Sequence, residues 1–142
     1  MPSSPRFESL FGDWTGEEEL FPTAWTAAGT AQASISVRPG PDGIHFDYVE
    51  TREGGRLDAH AVVAGGGFWW FDSYGFTPQT PGTAAWDGDT LVLDRRSDRG
   101  RTVMRLRVDD ARLIVELDTA APADADLSPL VRGVYDAQPA AE

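Results

Sequence analysis

Met104-Arg105-Leu106-Arg107-Val108-Asp109-Asp110-Ala111-Arg112-Leu113-Ile114-Val115-Glu116-Leu117 is the stretch on which the fold turns. A two-residue loop at Asp110-Ala111 sets Val108, Leu106 and Met104 opposite Leu113, Val115 and Leu117, and Arg105 opposite Glu116 on the other side. One face is then wholly apolar and the other carries a cross-strand ion pair. A register that sorts both faces at once predicts an antiparallel hairpin with its apolar face turned inward.

The same period of two recurs in both directions along the chain. It is punctuated by Pro39-Gly40-Pro41-Asp42-Gly43, Gly54-Gly55, Gly65-Gly66-Gly67, Asp87-Gly88 and Asp98-Arg99-Gly100. The predicted strands are 13–20, 27–37, 43–52, 56–64, 67–74, 82–87, 90–96, 101–109, 112–119 and 130–136. Hairpin following hairpin predicts an all-β chain, a closed antiparallel up-and-down β-barrel of about ten strands. The one helical signal is a short N-terminal turn, in which Ser4 can cap, Pro5 fits the first helical position, and Phe7, Leu10 and Phe11 share a face.

A chain of 142 residues suits one domain, 1–142, with loose tails at 1–5 and 137–142. Twelve arginines, no lysine and 23 acidic residues leave a net charge of -11, which repels phosphate backbones and anionic bilayers, so neither nucleic acid nor membrane is expected as a partner. Cysteine is absent, removing disulfides and thiolate chemistry. No apolar leader opens the sequence, and the expected location is the cytoplasm of a bacterium with a GC-rich genome.

Turn lengths also assign faces elsewhere. Gly54-Gly55 puts Phe46 and Tyr48 on one side with Ala59, Ala61 and Val63, and Asp87-Gly88 puts Trp86 with Leu91 and Leu93. The triple glycine is ambiguous: a two-residue loop turns Phe68, Trp70 and Asp72 inward, and a three-residue loop turns Trp69, Phe71 and Ser73 inward. The shorter loop is preferred. Small inward residues (Ala31, Ala33, Ala59, Ala61) beside these aromatics predict a cavity walled by Phe46, Tyr48, Trp70, Trp86, Met104 and Leu106, with Asp72 as a polar anchor. The competing reading is that the aromatics fill the barrel as core.

Gly12-Asp13-Trp14-Thr15-Gly16-Glu17 with Phe21-Pro22-Thr23 resembles the opening of fatty-acid-binding-protein-like, nitrobindin-type calycin barrels, a lipocalin-like architecture. Phe68 to Gly75, Trp86 to Asp89 and Ser128 to Gly133 resemble a DUF1579-type family of uncharacterised bacterial proteins with the same barrel. The resemblance implies ten strands, with Trp14 near Arg132 on the closing strand. A guanidinium stacked on the indole, with the turn at Phe7 to Phe11, would seal that end. Nitrobindin-type proteins hold haem through a histidine near the C-terminus. Leu127 to Tyr135 contains none, and no cofactor is expected. The Arg-x-Tyr carboxylate clamp of true fatty-acid-binding proteins is missing too.

Other chemistry finds little footing. His45 and His60 fall on the face opposite Phe46 and Tyr48, which predicts solvated histidines and no metal site. Of Glu17, Glu18 and Glu19, Glu18 shares the side of Trp14 and is expected as a rim carboxylate; buried, it could act as an acid or base. Six arginines between Arg95 and Arg107 are expected on the outside, answering Glu116 and Asp118. No catalytic residue is assigned. The expected function is non-catalytic binding of a small, largely apolar ligand. The alternatives are a cofactor-free isomerase or hydrolase using Tyr48, Asp72 or Glu18, and an interaction module that forms a homodimer through Trp69 and Phe71 on the outer face.

Overall fold

The computed structural model describes residues 5–23, 27–73, 80–97 and 100–138. A single helical turn, α1 (Pro5–Glu8), precedes ten strands: β1 (Gly12–Leu20), β2 (Gly29–Gly40), β3 (Gly43–Arg52), β4 (Gly55–Ala64), β5 (Gly67–Asp72), β6 (Gly82–Asp87), β7 (Thr90–Ser97), β8 (Gly100–Asp109), β9 (Arg112–Ala120) and β10 (Ser128–Ala137). Each strand is hydrogen-bonded to its sequence neighbours and β1 closes on β10, giving a closed antiparallel barrel without a free edge.

The quoted hairpin has the expected register: Met104 faces Leu117, Leu106 faces Val115, Val108 faces Leu113, and Arg105 faces Glu116. Its loop places Asp110 at φ 53° and Ala111 at φ 62°, the left-handed pair of a type I′ turn, whose twist suits the flanking strands. The triple glycine resolves in the same way. Ala64 pairs with Gly67, so Gly65 and Gly66, at φ 56° and 81°, form the loop and Phe68 and Trp70 point inward, both buried. Trp69 and Phe71 are outside; Phe71 is 40% exposed.

Two-residue loops also join β2 to β3, β3 to β4 and β6 to β7, and Ser97 faces Gly100 where β7 meets β8; residues 98–99 lie outside the described residues. The proposed cap Ser4, the tail residues 1–4 and 139–142, and Tyr74-Gly75 of the family-like stretch also lie outside them. The C-terminal tail is not loose at its start. Ala137 pairs with Trp14, and the Gln138 N–H donates to the Asp13 carbonyl at 2.8 Å. One join is short: β5 meets β6 where Gly67 faces Thr83 and Phe68 faces Gly82, supplemented by Ala84 N–H donating to the Gly66 carbonyl at 2.9 Å.

The alternation fixes which side chains enter the barrel, and the ends differ. At one end α1 covers the opening: Phe7 meets Trp86 edge-on with ring centroids 5.3 Å apart, and the Trp14 indole N–H donates to the Leu10 carbonyl at 2.9 Å. Trp14 is therefore sealed by the helical turn and not by Arg132. Trp14 faces Ala137, whereas Arg132 faces Glu19 five residues along, about 17 Å away at the rise of a strand. Arg132 also has the opposite parity and lies on the outside. Its guanidinium covers the Phe21 ring at 5.8 Å and binds Asp118 at 2.7 Å. Each residue belongs to a different end of the barrel.

The waist is packed. Phe46, Ile35, Leu93, Leu106, Met104, Leu113 and Val115 are all buried there, and the gap beside Met104, between Phe68, Trp70 and Leu117, has about 10 Å³, near the least that holds one water. The single cavity expected from the sequence is thereby divided.

Candidate ligand site

At the end of the barrel away from α1, the interior opens into a cavity of about 320 Å³. Leu20, Phe21, Leu57, Leu117, Leu130 and Val131 supply apolar wall, and Trp70 supplies an aromatic face. The polar lining is Thr23, Tyr48, Glu50, Arg52, Asp72, Arg95 and Thr102. Three of the expected site residues thus meet here: Tyr48, Trp70 and Asp72. Trp86 does not join them; it is half-buried and lines a separate recess of about 310 Å³ against Phe7 at the α1 end. Phe46, Met104 and Leu106 belong to the packed waist, because alternation reports the side of a wall and not the depth along the axis.

Tyr48 and Trp70 lie on adjoining inward rows, with ring centroids 6.1 Å apart. The Trp70 indole N–H donates to Asp72 Oδ2 at 2.9 Å, which satisfies the one polar atom of the indole in an otherwise apolar wall. Over the Trp70 face lies Arg95, with Cζ 5.2 Å from the ring centroid. Burial lowers the pKa of this guanidinium, opposed by the negative charge of Asp72. Arg95 is a departure from the expected row of outward arginines. Counting by twos from Leu91 and Leu93 places Arg95 inside, a signal that a reading by charge alone passes over. Its neighbours follow expectation: Arg101 bonds Asp94 at 2.6 Å and Arg105 bonds Asp118 at 2.7 Å on the outer face.

Beside the cavity is a cluster of acids and phenols. Glu18 of β1 is completely buried and is no rim carboxylate. The Tyr48 hydroxyl lies 2.8 and 2.7 Å from the two Glu18 oxygens and 2.8 Å from Glu50 Oε2. Tyr135 of β10 donates its hydroxyl hydrogen to Glu18 Oε2. Arg52 Nη2 lies 3.1 Å from Glu50 Oε1.

Local sequence explains this convergence. Tyr48, Glu50 and Arg52 are successive inward positions of β3, and Gly133 stands opposite Glu18 on β10. A Cβ at Gly133 would come within 2.6 Å of the Tyr135 ring and 3.1 Å of Glu18 Cγ, so the glycine makes room for both side chains. Burial, together with the neighbouring Glu50 carboxyl, raises the Glu18 pKa to about 8 despite the phenolic hydrogen bonds. Burial and the Glu18 charge push the Tyr48 and Tyr135 phenols well above their ordinary value. Glu50, Arg52 and Tyr135 were legible as inward by parity, but a search for apolar walls passes over them.

The histidines are on the outer face. His60 Nδ1 is 2.8 Å from Asp47 Oδ1, and the His45 and His60 rings are 5.8 Å apart. No helix among the described residues is long and apolar enough to cross a membrane.

No family model matches the chain, and no curated protein matches it. Among solved structures it is similar to Rv2717c from M. tuberculosis, with a TM-score of 0.66 at 13% identity over 97% of this chain and 100% of that one. At that identity the likeness is one of fold.

Proposed function

We propose that the protein binds a small, largely apolar ligand in the cavity lined by Tyr48, Trp70 and Asp72. The observation that carries this reading is the 320 Å³ space itself, left open at one end of a barrel whose waist is filled. Its volume is near the lower limit of small-molecule sites, about 300 Å³, which selects a compact ligand. The Trp70 face and six aliphatic or aromatic neighbours favour an apolar body, while Tyr48, Glu50, Arg52, Asp72 and Arg95 supply polar lining from β3, β5 and β7. No turnover is needed for this function.

Native mass spectrometry of protein purified from its own host tests it. A small molecule retained by the 15.4 kDa chain is expected, and Leu57→Trp, which fills the cavity without opening a void, should cut retention at least tenfold. Ligand-free spectra combined with no uptake of compact apolar probes would refute the reading. A second reading, self-association through the outer face of β4 and β5, draws on the exposed Phe71 beside Trp69 and Val62. The same spectra decide it by the mass of the native species.

A further inference from the structure

The Tyr48 hydroxyl has one hydrogen and touches two carboxyl groups, so one of those contacts requires a hydrogen from a carboxyl. Tyr135 brings its own hydrogen to Glu18 and leaves this count unchanged. The cluster thus holds one proton beyond those of its phenols. Arg52 gives negative charge on Glu50 a partner, whereas the polar neighbours of Glu18 are phenols and, across Tyr48, a second acid. The proton belongs on Glu18 and the charge on Glu50.

Glu50 lines the cavity, and Glu18 stands behind it. Tyr48 and Arg52 occupy two of the roughly four acceptor directions of the Glu50 carboxylate. Its cross-strand neighbours, Ala33 on β2 and Leu57 on β4, are uncharged, and Asp72 and Arg95 are the charged groups that share the cavity from β5 and β7.

We infer that this wall is a proton-transfer site, with Glu50 as the base, acting on an enolisable carbonyl compound with an apolar body. The inference rests on the binding function proposed above and adds turnover to it. Glu50 takes the proton from the carbon next to the carbonyl; the C–H electron pair forms the enolate C=C bond, and the carbonyl π pair moves onto oxygen. Arg52 and Arg95 are the two cations that line the cavity with Glu50. Return of the same proton to the γ carbon of a β,γ-unsaturated substrate gives the conjugated isomer. No electron, water or second substrate is consumed. Glu18 is a positioning residue: its proton, directed to the Tyr48 oxygen, turns the Tyr48 hydrogen toward Glu50.

The probe is 1-tetralone, with binding read by tryptophan fluorescence and exchange of its α-hydrogens followed by NMR in D2O. The wild-type protein should bind the ketone and accelerate exchange at least 100-fold over buffer, the lower range for a positioned base. Glu50→Gln should bind but return exchange to background, and Glu18→Gln should bind and displace the pH profile of exchange. Binding with exchange at background in the wild type would overturn proton transfer and leave the carrier function standing. Absence of binding would overturn the proton-transfer assignment, while the native spectra described above decide the carrier function separately. Exchange undiminished in Glu50→Gln would also overturn the assignment, and the wild-type result decides the question if that variant does not fold.

Discussion

Glu18 shows how one residue can couple the folding of a barrel to pH. Folded, it holds its proton up to about pH 8; unfolded, it releases it near 4.5. The folded chain therefore binds the extra proton between those values, and stability falls as pH rises through that window, by up to about 1.4 kcal/mol per pH unit. The contribution is fully present below pH 4.5 and gone above 8. Glu18→Gln keeps the size and hydrogen-bonding reach without the titration. The difference in urea-unfolding free energy between wild type and variant should thus slope downward from pH 5 to 8; a flat difference would mean that Glu18 is ionised in the folded chain. Its parity with Trp14 was readable from the sequence. Its depth was not, because the acidic run at Glu17 to Glu19 suggests a solvated edge until Tyr48 and Tyr135 arrive from two other strands.

At the scale of the element, the hairpins carry the fold, and the quoted one contains an unused gain. Type I′ turns favour glycine at the second loop position, and this turn has alanine there at φ 62°. Ala111→Gly should relieve the left-handed strain and stabilise the protein by about 1 kcal/mol, even after the added entropy of the unfolded glycine. Thermal and urea unfolding will show it, and no gain would mean that the turn is already relaxed. The hairpins were legible because loop length fixes parity, and a single parity error would turn a whole strand inside out. That logic placed Trp70 inside and Trp69 outside. Applied to β7 it also places Arg95 inside, where grouping the arginines by charge had put it outside.

On the scale of the whole molecule, the barrel was legible and the division of its interior was not. Ten strands follow from turns and alternation, but whether Phe46, Met104 and Leu106 border open space depends on how rings from β3, β5 and β8 interlock across the axis. Likewise, Trp14 and Arg132 were drawn together by a family resemblance, and the ladder of β1 against β10 keeps them at separate ends. The brief meeting of β5 with β6 also bears on how this molecule comes apart. Among the described residues every other seam is longer, so thermal breathing should begin where these two strands part, and deuterium should label 67–72 and 82–87 before 29–52. Such a breach bares Phe68-Trp69-Trp70-Phe71, an uncharged adhesive ribbon, and neighbouring molecules caught in that moment would stitch together along it, making this seam the origin of clumping on heating.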